Sequence, residues 1–194
     1  MKELILIMLA AGNSRRFGSN KLLHPVEGIP MYQRILCKLI KVQRRLREEK
    51  PDLSVKIAVV TQYAEIADEA KKEGAKVLFN PHPDEGISSS IRLGIQGNPG
   101  ADACLFTVSD QPWITEETIL GLIRLFLSSS KGMACVSFAG RLGNPCIFSS
   151  RYFFQLSSLT GETGGKAVLR AHSKDVAVLK IKDGRELVDV DTLH

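Results

Sequence analysis

Residues 4–10 form an unbroken apolar run of strand length that exits into small residues and glycine, the pattern of a central strand covered on both faces. Similar runs recur at residues 55–61, 75–79, 103–108 and 133–138, and strand-like character returns at 176–181. Between these runs the period changes. From Met31 to Glu49 the apolar Ile35, Leu36, Leu39, Ile40 and Leu46 recur at helical spacing between Pro30 and Pro51, which predicts a long amphipathic helix. Further helices are predicted over residues 64–72, closed by Gly74, over 88–95, and over 115–127 with Glu116 and Glu117 in the first turn. Parallel strands need crossover connections, so this alternation predicts an α/β three-layer sandwich with a mostly parallel sheet. Residues 140–167, rich in glycine and small polar side chains, read as irregular.

A length of 194 residues suits one domain with a full core, and 44% apolar with 24% charged residues excludes disordered and fibrous classes. The formal net charge of +5 suits a small polyanionic ligand but does not call for nucleic acid. Lys38, Lys41, Arg44, Arg45 and Arg47 line one face of the long helix, yet Glu48 and Glu49 follow and no aromatics intervene, so a solvated face is expected. Cys37, Cys104, Cys135 and Cys146 form no C-x-x-C pair and lie in or beside apolar runs, as buried reduced thiols of a cytoplasmic protein would. The start superficially resembles a signal peptide, but Glu3 and the Gly-Asn-Ser-Arg-Arg exit favour a strand opening into a loop. No run approaches the roughly 20 apolar residues of a membrane span, so no membrane partner is expected.

In open α/β sheets ligands bind beyond the carboxyl ends of the strands, which directs attention to the loops beginning at Ala11, Asn80 and Ser109. The first, Leu9-Ala10-Ala11-Gly12-Asn13-Ser14-Arg15-Arg16-Phe17-Gly18-Ser19-Asn20-Lys21, offers close main-chain approach to a phosphate, with Arg16 and Lys21 to neutralise it. It is not a Walker loop, because five residues separate Gly12 from Gly18 and Ser19 stands where lysine belongs; the dinucleotide G-x-G-x-x-G is also missing. Gly161 to Ala167 fails the same test, with Thr160 in place of the first glycine and Ala167 in place of the hydroxyl. Ser109-Asp110-Gln111-Pro112 places a carboxylate at the sheet edge, where it could hold a hard cation with substrate phosphates or simply open a turn. Ser88, Ser89 and Ser90 follow Gly86 at a helix opening, suited to an anion, a base edge or plain N-capping. His24, His82, His172 and His194 have no metal-ligand spacing.

Together LAAGNSRRFGSNK at the first loop, NPHPDEGISSSIRLGI at 80–95, SDQPWI at 109–114, GRLGNPCIFS at 140–149, LTGETGGKAVL at 159–169 and VDVDT at 188–192 resemble the MobA-like nucleotidyltransferases, in particular their molybdenum cofactor cytidylyltransferase branch. The resemblance implies a Rossmann-like nucleotidyltransferase fold, related to glycosyltransferase A. A single domain over 1–194 would divide into a nucleotide-binding part, about 1–115, and an acceptor-binding part, about 116–194. It also implies transfer of CMP from CTP to the terminal phosphate of molybdopterin, with Mg²⁺ and release of pyrophosphate. On this resemblance Leu9, Ala10, Ala11, Gly12, Ser14, Arg16, Lys21, Asn80, Ser88 and Ser90 face the nucleotide, with Arg16, Lys21 and Asp110 as the catalytic trio. Asp110 and Asp191 would bind the metal, with Asp189 the alternative to Asp191, and Gly143, Asn144 and Pro145 would receive the acceptor. Family members that use GTP tend to carry a second glycine where this chain has Ala11, so CTP is expected. A molybdenum hydroxylase or its maturation factor is the implied recipient. Glu162 departs from the aspartate common in the TGDxG segment, and Lys166 from the frequent arginine. The alternatives are a transferase acting on a sugar phosphate or other phosphorylated alcohol, and a non-catalytic pterin-binding maturation factor.

Overall fold

The apolar run at the amino terminus forms β1 (Glu3–Ala10), whose residues from Leu4 onward are all buried. Its side chains alternate between two cores: Leu4, Leu6, Met8 and Ala10 enter one, and Ile5, Ile7 and Leu9 the other. A strand buried on both faces must be hydrophobic throughout, which is why this segment does not alternate with polar residues. The computed structural model describes residues 1–13 and 20–190.

After β1 come a short hairpin, β2 (Pro25–Val26) and β3 (Ile29–Pro30), then α1 (Met31–Glu49), β4 (Ser54–Thr61), α2 (Ala64–Lys72) and β5 (Lys76–Phe79). The chain continues through α3 (Ile87–Gln96), β6 (Ala103–Val108), α4 (Glu116–Ser128), β7 (Met133–Phe138) and β8 (Arg141–Ser149). Two short helices, α5 (Phe153–Ser157) and α6 (Lys166–Ala171), precede β9 (Val176–Lys180). The main sheet has the order β5-β4-β1-β6-β8-β7-β9. All its neighbours pair in parallel except β8, which runs antiparallel to both β6 and β7. Residues of α1, α2 and α4 pack on one face and those of α3, α5 and α6 on the other, so the expected three-layer α/β arrangement is what the chain forms.

The segment expected to be irregular contains the nine-residue strand β8. Gly143-Asn144-Pro145 reads as a turn, but the ladder absorbs it: Cys135 pairs with Cys146 and Val136 with Gly143, so Asn144 and Pro145 lie in a bulge where proline owes no ladder donor. Because β8 is antiparallel, this bulge lies at the carboxyl edge of β1 and β6.

Two further expectations are corrected. Cys37 is exposed on α1, whereas Cys104, Cys135 and Cys146 are buried; all four thiols are free. Burial pushes the Cys104 thiol up to about 12 and Cys135 to about 11, and raises Cys146 as well, so these three stay protonated packing groups. The basic face of α1 is also less solvated than expected. Lys38 is half-buried and donates to Pro112 O at 2.7 Å, and Arg45 pairs with Glu116 at 3.1 Å and with Glu117, tying α1 to α4. No described helix is long and apolar enough to cross a membrane.

Candidate active site

The site lies at the carboxyl edge of β1 and β6. Strand β6 ends at Val108 and delivers Asp110, while Lys21 opens a 3₁₀ turn (Lys21–Leu23) capped by Asn20, whose side chain accepts from Leu22 N. Lys21 Nζ meets Asp110 Oδ2 at 2.9 Å, with side-chain exposures of 14% and 26%. Two groups 89 residues apart are thus held as a partly desolvated ion pair still open to solvent on one side. Such a pair gives both a cation for phosphate oxygens and a carboxylate for a metal at one point.

The first half of the glycine-containing loop is fixed from the β4 side. Thr61 Oγ1 donates to Ala10 O at 2.9 Å, Gln62 Nε2 to Ala11 O and to Asn13 Oδ1, both at 2.9 Å, and Tyr63 OH to Gly12 O at 2.6 Å. Ser109 secures Leu9 O from the other side, through its N–H at 3.1 Å and its hydroxyl at 2.9 Å. With its carbonyls turned back into the protein, the segment from Leu9 to Gly12 holds a defined path across the sheet edge. Thr61, Gln62, Tyr63 and Ser109 were not singled out from the sequence, although polar residues directly after apolar strands at a carboxyl edge were a usable signal.

Asn80 follows β5, its N–H donating to Thr61 O at 2.8 Å. Asn80 is 1% exposed; its Nδ2 donates to Ser89 Oγ at 2.9 Å and Ser90 Oγ at 3.0 Å, and its Oδ1 accepts from His82 N at 2.9 Å. Ser88 is fully buried and Ser90 nearly so. The opening of α3 is closed instead by the segment that follows α5: Ser88 N donates to Gly161 O at 3.2 Å and Ile87 N to a Glu162 carboxylate oxygen at 3.4 Å. Gly86 permits this contact. Its φ is +83°, and a Cβ there would come within 2.5 Å of the Gly161 carbonyl.

The carboxyl-terminal segment crosses the same edge. Glu186 is buried, accepting from Thr115 N at 2.9 Å and lying 3.0 Å from Thr115 Oγ1 at the start of α4. Gln111 Nε2 donates to Asp189 Oδ1 at 2.7 Å, and Val190 N donates to Asp110 O at 2.9 Å. The backbone leading to Asp191 therefore runs beside Asp110. Asp191 itself, with Ser14 and Arg16, lies outside the described residues. Among the described residues no group of three or more histidine, cysteine or acidic side chains gathers as a metal cluster; Val190 N on Asp110 O and Gln111 Nε2 on Asp189 Oδ1 bring these two aspartates to one edge.

Gly143, Asn144 and Pro145 occupy the β8 bulge, with Leu187 of the carboxyl-terminal segment packed over Gly143, where a Cβ would lie 2.6 Å from Leu187. Asn144 also lines a cavity of about 360 Å³ that opens between β1, β6 and β8 on one side and α3 and α6 on the other. Leu9, Phe106 and Phe148 contribute apolar walls, and Glu162, Lys166 and Arg170 contribute charge.

Comparison with known proteins places this geometry. The model of the MobA-like NTP transferase domain matches residues 6–176. The purine catabolism protein PucB of Bacillus subtilis is 27% identical over 97% of this chain and 92% of its own length. Among solved structures, Rv0371c from Mycobacterium tuberculosis superposes with a TM-score of 0.73 at 22% identity, covering 97% of this chain and 92% of that one. Its manganese complex gives 0.69 at 18% identity, with 94% and 90% covered. CMP:2-keto-3-deoxy-manno-octonic acid synthetase complexed with CTP gives 0.70 at 12% identity, with 99% and 94% covered. The sheet with its one reversed strand and the loops gathered at its carboxyl edge are thus those of a nucleotidyltransferase, and the chain belongs to the MobA-like NTP transferase domain family.

Proposed function

We propose that the protein transfers CMP from CTP to the terminal phosphate of molybdopterin. The observation that carries this reading is the Lys21–Asp110 pair, set at the sheet edge beside the fixed Leu9–Gly12 segment and the docked carboxyl-terminal segment. In the reaction an acceptor phosphate oxygen forms a bond to the α-phosphorus of CTP, and the bond from that phosphorus to the bridging oxygen of the β-phosphate breaks. The electron pair leaves with pyrophosphate. The nucleophile is already largely ionised at neutral pH, so positioning and charge stabilisation suffice without a general base.

Each residue has a part. The Leu9–Gly12 backbone would carry the base and ribose, with Asn80, Ser88 and Ser90 completing the nucleotide site. Lys21, with Arg16 and Ser14 from residues 14–19, would take the phosphates. Asp110 and the carboxylates of the terminal segment, Asp189 and Asp191, form an all-oxygen donor set that fits a hard divalent cation. Such a cation, Mg²⁺ in this reading, would offset the charge that builds on the transferring phosphate. Manganese in the Rv0371c neighbour accords with a divalent cation, and CTP in the synthetase neighbour with the base assignment. Ala11, whose methyl narrows the base site, favours the smaller pyrimidine. Gly143, Asn144 and Pro145 face the acceptor, and a molybdenum hydroxylase or its maturation factor would receive the product.

Mass analysis of reactions containing molybdopterin, Mg²⁺ and each of the four ribonucleoside triphosphates tests this. The expected product is the cytidine dinucleotide form of the cofactor, with one pyrophosphate per CMP transferred. Preference for GTP would overturn the base assignment, and faster reaction with a sugar phosphate would overturn the acceptor. Failure of folded protein to release pyrophosphate with any triphosphate would leave a pterin-binding factor.

A further inference from the structure

Lys166 and Arg170 lie one turn apart on α6 and therefore share a face of that helix, and both line the 360 Å³ cavity. Neither side chain makes a hydrogen bond or an ion pair among the described residues. The acidic residue of the cavity lining, Glu162, is turned instead to the main chain of α3 at Ile87 N. Two like charges at this spacing repel one another; Lys166 is half-buried and Arg170 exposed, so both cations stand open to a ligand. An anionic ligand would offset that repulsion.

The remaining walls define the rest of that ligand. Leu9, Phe106 and Phe148 present apolar surface, and Phe106 and Phe148 meet edge-on with ring centres 6.1 Å apart. Asn144 supplies one polar side chain at the mouth. A cavity near the small end of ligand sites, mostly apolar with a few placed polar groups, accepts a flat ring system rather than a polymer. Val108 also lines it, two residues before Asp110, so a group bound here lies next to the reacting edge.

We infer that this cavity is the acceptor subsite, where Lys166 and Arg170 hold the phosphate of an acceptor whose planar ring lies against Leu9, Phe106 and Phe148. The inference rests on the transfer reading above and assigns two residues that reading did not use. It also gives the departure from arginine at Lys166 a role: a point charge on a flexible stem in place of a planar fork, with Arg170 supplying the fork one turn later.

The test uses a fluorescent pterin carrying one phosphate monoester and the same pterin without it, titrated by anisotropy into the wild-type chain and the Lys166→Met/Arg170→Met double variant. The phosphorylated pterin should lose roughly tenfold or more in affinity in the variant, as loss of charge-assisted bonds requires, while the unphosphorylated pterin binds both proteins alike. The KM for CTP should not change, and the thermal midpoint should not fall. Equal affinity of both proteins for the phosphorylated pterin overturns the inference. So does a rise in the KM for CTP alone, which would place the cations on the triphosphate. Charge-dependent pterin binding without CMP transfer would leave the subsite standing and remove the transfer reading; transfer with charge-independent binding would do the reverse.

Discussion

The two sides of the sheet edge are built on opposite plans. On the β5–β4–β1 side, polar side chains bond within the protein: Thr61, Gln62 and Tyr63 grip the carbonyls of the first loop, joined from β6 by Ser109, and Asn80 joins two serines of α3. On the β8–α6 side the walls are apolar, and Lys166 and Arg170 stand without partners among the described residues. The first plan fixes geometry in advance, which lowers the entropic cost of orienting any ligand bound there. The second leaves two cations open, as the inferred phosphate subsite requires. Lys21 and Asp110 sit where the two plans meet.

Disturbing that meeting point should have the largest effect. Lys21→Met is expected to lower kcat by about 10² to 10³-fold, the range for loss of one charge-stabilising donor, with a smaller change in either KM; steady-state kinetics at saturating Mg²⁺ check this. Gln111→Leu removes the donor that holds Asp189 and Leu187 O and should weaken metal activation by roughly 10 to 100-fold, seen as a shift of the Mg²⁺ titration with kcat recovered at high metal. Gly86→Ala sharpens the contrast between the two sides. Its Cβ would strike the Gly161 carbonyl in a backbone conformation that alanine resists, costing about 1–3 kcal/mol of stability and raising the acceptor KM more than the KM for CTP.

The smallest effect concerns pH. Burial, and then the neighbouring Arg34, lower the Lys38 ammonium from its ordinary 10.5 to about 8 in the folded chain. Between those values the unfolded chain binds more protons, so stability should rise with pH across that window, and the penalty is fully present below about 8. Lys38→Met should flatten the rise, visible as a smaller gain in unfolding midpoint between about pH 7 and pH 10 than the wild type shows.

How much of this was legible in the sequence followed from the kind of signal each element carries. β1, β4 and α1 were readable because burial on both faces or on one stripe leaves a periodic trace. β8 was not, since Asn144 and Pro145 sit in a bulge that sequence pattern renders as a turn, and α5 and α6 are too short for a helical period to register. Cys37 was misjudged because it lies between apolar positions of α1 but on the exposed side of the helix. Lys21 and Asp110 could be named from charge type and loop position, and the fold brings them together. The residues that fix the segments around them, Gln111, Glu186 and Thr61, bond mostly to main chain or across elements, and such contacts leave no periodic mark. The pair Lys166 and Arg170 had a mark at helical spacing, but it straddles the end of a segment read as irregular.

The account turns on Asp110. Pyrophosphate release from CTP with Mg²⁺ and molybdopterin, compared between the wild type and Asp110→Asn at matched folding, tests it most directly. The amide keeps the shape and removes the charge, so the variant should lose roughly 10³-fold or more in rate while still binding CTP. A variant that keeps its rate would contradict the assignment of this edge as the place where the phosphate is transferred.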